Sequence, residues 1–165
     1  MAPELQNINS EWRSVKPYPR SGSSEKREMD MATTDVLVVE DSPALSMLLR
    51  RVLENAGLSM LEAVDGMQAH NVLQRAEAPV CIITEINMPR MDGIDFIRVL
   101  REDPRFCNIP IIVLTGENDD HRVEKARAAG ATHVIYKPFD IDVLFDVIEG
   151  VVRDVYGGQA LRSAC

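Results

Sequence analysis

The stretch VLVVEDSPALSMLLRRVLENAG, residues 36–57, reads as a strand, a tight turn and a helix in that order. VLVV (36–39) is continuous, apolar and largely β-branched, as expected of a strand covered on both faces. Ser42-Pro43 supplies a helix N-cap followed by proline at the first helical position, where its missing N–H costs nothing. Leu45, Leu48, Leu49, Val52 and Leu53 then recur at three-and-four spacing, which makes one apolar helix stripe, and Gly57 closes it. A strand buried on both faces and followed by an amphipathic helix is half of a parallel β–α–β unit.

The same alternation continues downstream. A second strand is expected at 58–63, then an Asp65-Gly66 turn and a short helix at 67–76. CIIT (81–84) is a third strand, and Ile94, Ile97 and Leu100 mark a helix that must end near Pro104. IIVLT (111–115), a helix at 119–129 ending at Gly130, HVIY (133–136) and a last helix capped by Asp140 complete the series. That helix carries Ile141, Leu144, Phe145, Ile148, Val151, Val152 and Val155 on one stripe. Five strands alternating with five helices imply an α/β fold, a doubly wound parallel sheet with helices on both faces. Ligands of such sheets sit beyond the carboxyl ends of the strands.

Outside this block the character changes. Residues 1–33 contain Pro3, Pro17, Pro19 and SGSSEKRE with no sustained apolar period, and read as a disordered arm. Residues 34–156 are the folded domain and 157–165 a short tail, too short for a further DNA-binding or catalytic unit. The arm is neutral, with Arg13, Lys16, Arg20, Lys26 and Arg27 against Glu4, Glu11, Glu25, Glu28 and Asp30. The whole net charge of -8 therefore falls on the remainder. An acidic domain without a basic patch is a poor ligand for nucleic acid. No apolar run approaches the roughly 20 residues that span a bilayer, and the N-terminus lacks a secretory layout, so the cytoplasm is the expected address. Cys81, Cys107 and Cys165 show neither C-x-x-C pairing nor metal-ligand spacing with histidine, and demand no oxidising compartment.

Reading just past each apolar strand gives Glu40-Asp41, Glu85, Thr115 and Lys137-Pro138. Singly, each has an ordinary alternative: a solvated turn, a strand terminus, a surface lysine. At four strand ends of one α/β domain they converge on a shared pocket. Three crowded carboxylates repel unless a cation intervenes, and Mg²⁺ with one or two carboxylates is the natural one. Lys137 adds a fixed positive charge and Thr115 a hydroxyl donor, so the set suits a phosphoryl group.

VLVVEDSP, INMPRMDG (86–93), LTG (114–116) and YKPF (136–139) resemble, in order, the signature segments of response-regulator receiver domains. The resemblance covers residues 34–155 and implies the receiver, or flavodoxin-like, strand order 2-1-3-4-5. By that similarity Glu40 and Asp41 are the acidic metal-binding pair, Asn87 gives its backbone carbonyl to Mg²⁺, Thr115 is the switch hydroxyl and Lys137 the site lysine. Lys137–Pro138 is then a cis peptide. The family's phosphoacceptor is an aspartate directly before the INMP segment, and this chain has Glu85 there. The extra methylene exceeds the alignment tolerance of in-line phosphoryl transfer. Asp92 and Asp95 do not substitute, because both lie past the loop. Three readings of Glu85 stay open: a permanent, partial surrogate for a phosphorylated aspartate, a decayed site in which Glu85 pairs with Lys137, or an engineered replacement of an original aspartate.

The family often places Tyr or Phe three residues before the lysine. That position is Val134, with Tyr136 two residues on along the same strand face. The implied partners are a histidine kinase or phosphotransfer protein, and a downstream effector bound at the face of the fourth helix, fifth strand and fifth helix. The class is a non-enzymatic signalling module; the alternative is a pseudo-receiver that acts without phosphorylation. A metal-dependent phosphatase needs a second acid two residues after its nucleophilic aspartate, and Asp41 is followed by Ser42-Pro43-Ala44. A flavin domain needs a phosphate-cradling Ser/Thr/Gly loop, and VVEDSPA is not one.

Overall fold

The computed structural model describes residues 35–116 and 120–156. The expected arm and tail, including Cys165, lie outside them. The order is β1 (Val36–Val39), α1 (Pro43–Asn55), β2 (Met60–Ala63), α2 (Gly66–Leu73), β3 (Cys81–Glu85), α3 (Gly93–Glu102), β4 (Ile111–Gly116), α4 (Asp120–Ala129), β5 (His133–Lys137) and α5 (Ile141–Tyr156). The strands form one parallel sheet in the order β2-β1-β3-β4-β5. Leu37, Val39, Ile82, Ile111 and Val113 face one way, onto α2, α3 and α4. Val36, Val38, Ile83, Ile112 and Leu114 face the other, onto α1 and α5. This two-sided burial is why the strands read as unbroken apolar runs.

The helix starts follow their caps. Ser42, Asp65 and Asp92 each accept an N–H from the residue three positions on, at 3.4, 2.8 and 2.9 Å. Asp65-Gly66 is therefore the start of α2 and not a separate turn before it. That helix also ends earlier than expected, at Leu73, where Arg75 N–H reaches back to Val72 O and tightens the last turn. The second strand begins at Met60, not residue 58. Leu58 N–H bonds Leu53 O at 2.9 Å beyond Gly57, whose φ is 73°, so Leu58 belongs to the closure of α1.

Cys81 is a free thiol at 0% exposure in β3. Desolvation, with Asp35 adding a like charge, pushes it up to about 12. A water-soluble alkylating reagent at mildly alkaline pH is expected to spare Cys81 in the native protein and to modify it in denaturant, read by peptide mass spectrometry. Native-state labelling there would mean that the central sheet opens.

Candidate functional site

Parallel strands β1, β3, β4 and β5 are sheet neighbours, so their carboxyl ends form one edge. Glu40 follows β1, Glu85 ends β3, Thr115 sits one residue before the end of β4, and Lys137 ends β5. Glu85 pairs in register with Leu114, Thr115 with Tyr136 and Gly116 with Lys137. Topology alone thus gathers residues separated by nearly a hundred positions.

The centre is an ionic triad. Lys137 Nζ donates to Glu85 Oε2 at 2.5 Å and to Glu40 Oε2 at 3.0 Å. The other oxygens are also engaged. Glu85 Oε1 accepts the N–H groups of Ile86 (2.6 Å) and Asn87 (3.2 Å), and Glu40 Oε1 accepts that of Ser42 (3.0 Å). The side chains of Glu40 and Glu85 are only 2% and 8% exposed, so these bonds lie in a weakly screened setting. Burial pushes the Glu40 carboxyl above the ordinary carboxylate range, against the pull of the Ser42 N–H and Lys137. Burial works against the Lys137 charge too, but its bonds to Glu85 and Glu40 outweigh that and hold the ammonium above the usual lysine range.

Thr115 is fully buried, and its Oγ1 has no hydrogen-bond partner among the described residues. An unmet buried hydroxyl costs about 1–3 kcal/mol, so it marks a place where a ligand oxygen would be welcome. Asp41 and Asn87 are exposed. The structure therefore joins Glu40, Glu85 and Lys137 directly, places Thr115 on the neighbouring strand, and leaves Asp41 and Asn87 in solvent. The cation that the carboxylates call for is, for two of the three, Lys137 itself. Among the described residues no group of three His, Cys, Asp or Glu is disposed to hold a metal ion.

The loop between β3 and α3 carries the site's backbone donors, and its anchoring was not legible in residue spacing. Asp92 caps α3 and also receives Arg122 of α4 at 2.8 Å. Arg90, at φ 62°, bridges to the buried Asp65 that caps α2. Gly93 N–H bonds Ile86 O at 2.9 Å, folding α3 back onto the end of β3. Lys137–Pro138 is cis, as the resemblance implies. On β5, Val134 packs on the core face while Tyr136 is 37% exposed, and Val143 on α5 is 53% exposed.

Known proteins are similar in sequence and fold. Residues 36–149 match the family described as the response regulator receiver domain. The chain is 36% identical to the chemotaxis protein CheY1 of Helicobacter pylori over 118 residues, 71% of this chain and 95% of that protein. It is 31% identical to CheY of Pseudomonas aeruginosa over 123 residues, 74% of this chain and 98% of that one. Among solved structures, CheY4 of Vibrio cholerae superposes with a TM-score of 0.67 at 31% identity, covering 73% and 99% of the two chains. A receiver domain of a Syntrophus aciditrophicus histidine kinase superposes with a TM-score of 0.69 at 30% identity, covering 80% and 96%. A sheet ordered 2-1-3-4-5, with acid, hydroxyl and lysine at its carboxyl edge, is thus accompanied by a match over most of the chain. The protein belongs to the response regulator receiver domain family.

Proposed function

We propose that this chain is a single-domain response regulator of a two-component or phosphorelay system in which Glu85 stands at the phosphoacceptor position and makes the protein phosphorylation-deficient. CheY-like receivers work by contact with histidine kinases and downstream effectors and are generally not enzymes. On this reading a histidine kinase or phosphotransfer protein is the input partner. The effector docks on the face of α4, β5 and α5, where Tyr136 and Val143 are exposed. The cytoplasm is the compartment, and no helix among the described residues is long and apolar enough to cross a membrane.

The observation that carries this reading is the 2.5 Å bond between Glu85 Oε2 and Lys137 Nζ. A phosphoryl group carries about 1.5 to 2 negative charges and three acceptor oxygens; a carboxylate brings one charge and two. Glu85 meets Lys137 but leaves Thr115 Oγ1 without a partner. It is therefore half a surrogate, with the lysine contact made and the hydroxyl contact not. A permanently held intermediate state of the output face follows from that half-contact. Receiver domains typically bind Mg²⁺ at the phosphorylation site. In this chain two of the three carboxylates are already engaged by Lys137, and the arrangement does not fit the ion.

The test is incubation with a small phosphodonor and Mg²⁺, followed by intact and peptide mass spectrometry. No phosphate is expected at Glu85. A stable, stoichiometric acyl-phosphate on that residue would overturn the proposal. A pseudo-receiver that signals without any phosphate chemistry is the second reading, favoured by the same engaged lysine.

A further inference from the structure

We propose that Lys137 is the resident counter-ion of this pocket and that it excludes the divalent cation that receiver domains typically bind, so that this chain presents its surface independently of Mg²⁺. The inference deepens the reading of Glu85 as the phosphoacceptor position and rests on it. Each of the four oxygens of Glu40 and Glu85 already accepts a hydrogen bond, from Lys137 Nζ or from the backbone N–H groups of Ser42, Ile86 and Asn87. Only the exposed Asp41 and the exposed Asn87 are left near the expected metal position.

Mg²⁺ demands near-octahedral oxygen coordination, gives up water reluctantly and needs one or two carboxylates to be held at all. A single solvated carboxylate is a poor host. To recruit Glu40 or Glu85 the ion would have to break a charge-assisted hydrogen bond in a weakly screened pocket, and would then sit beside the displaced ammonium. The extra methylene of Glu85 is what closes the pocket. An aspartate carboxylate would stand back by roughly one carbon–carbon bond, about 1.5 Å, leaving more room between it and Lys137. The lysine and the metal are therefore alternative partners for the same oxygens, and residue 85 selects between them.

The experiment is direct and uses no phosphodonor: Mn²⁺ binding to the full chain by electron paramagnetic resonance of the free ion, with Mg²⁺ as competitor and thermal unfolding in parallel. The chain as it stands is expected to bind no Mn²⁺ at millimolar concentration and to show no Mg²⁺-dependent rise in Tm. Lys137→Met is expected to lower Tm without metal, because Glu40 and Glu85 then face each other unbalanced, and to recover it when Mg²⁺ is added. Glu85→Asp keeps the lysine and is expected to bind at least about tenfold more tightly than the parent. It also carries the test if Lys137→Met fails to fold. Millimolar binding by the parent equal to that of Glu85→Asp would overturn the inference, as would folded variants that both gain nothing. A Glu85→Asp protein that binds Mn²⁺ but takes no phosphate would leave this inference standing and remove the phosphoacceptor reading instead.

Discussion

Glu85→Asp is expected to turn a chain that takes up no phosphate into one that takes one phosphoryl group per molecule, in a reaction that requires Mg²⁺. The reason lies in the remaining parts of the site. Lys137 ends β5, Thr115 ends the buried run of β4 with an unmet hydroxyl, and Glu40 and Asp41 follow β1. What differs is the reach of one side chain. Phosphoryl transfer is catalysed almost wholly by positioning and by electrostatic stabilisation of the transferred group. A displacement of about 1 Å costs on the order of a hundredfold in rate, and the added methylene moves the nucleophile by more than that. Glu85 Oε2 also accepts from Lys137 and Oε1 from two backbone N–H groups, which hold the carboxylate in place and lower its nucleophilicity. Shortening the side chain frees the lysine, and the incoming phosphoryl oxygens then have Lys137 and Thr115 Oγ1 as donors. The check is time-resolved mass spectrometry with a small phosphodonor on the parent, Glu85→Asp and Glu85→Ala. Glu85→Ala must stay unmodified at that position. A folded, metal-binding Glu85→Asp that remains unmodified would mean that the loss extends beyond residue 85.

The output face offers an independent reading of the same change. In the parent, Thr115 lies beside Tyr136 in the β4–β5 register, and Tyr136 is partly exposed. Glu85 reaches the lysine on β5 but not this hydroxyl. The unpartnered Thr115 hydroxyl and the partly exposed Tyr136 are thus register neighbours on adjacent strands. Where the family often has an aromatic, Val134 is packed against the core, and the aromatic on the same strand face is Tyr136, two residues nearer the carboxyl edge.

The parts of this molecule that the sequence made legible are those with a period or a cap. VLVV, CIIT and IIVLT are strands because two helical layers cover them, and Ser42-Pro43 begins a helix for a local reason. The carboxyl-edge residues were legible as well, since topology and apolar runs fix which residue emerges at each strand end. Where the reading slipped, at residues 58–59 and 74–76, the backbone was closing a helix by hydrogen bonds that side-chain hydrophobicity does not report. The engagement of Lys137 with two carboxylates, the Arg90–Asp65 and Arg122–Asp92 bridges, and the clamp of Arg101 on the carbonyls of Phe106, Ile109 and Gly130 were out of reach. Each depends on side chains from different elements meeting in space, and an arginine on an exposed helix face looks the same whether or not it finds such a partner.

Gly93→Ala is expected to destabilise the fold by at least about 3 kcal/mol, at the upper end of what overpacking does, out of a total of roughly 5–15 kcal/mol for a domain of this kind. Gly93 opens α3, and its N–H bonds Ile86 O. A Cβ there would lie 2.1 Å from Glu85 O and 3.0 Å from both Glu85 C and Ile86 Cα. All three are backbone atoms at the end of the central strand, so no side-chain rotation relieves the clash. Glu85 O is itself fixed by the Thr84 hydroxyl at 3.0 Å, and the peptide that follows donates to the Glu85 carboxylate. Moving α3 outward would expose Ile94, Phe96, Ile97 and Leu100 and pull Asp92 from Arg122. The loss should therefore appear both in the urea midpoint and as weaker protection of the α3 amides in hydrogen exchange. Gly150→Ala is the matched control. It lies inside α5 with nothing within 4 Å of the added carbon, so the same substitution there should stabilise by about 0.5–1 kcal/mol through lower chain entropy. If Gly93→Ala cost less than about 1 kcal/mol, the size of an ordinary substitution, α3 would not be seated against the Glu85 peptide. The backbone donors that hold the Glu85 carboxylate would then lack the support described above.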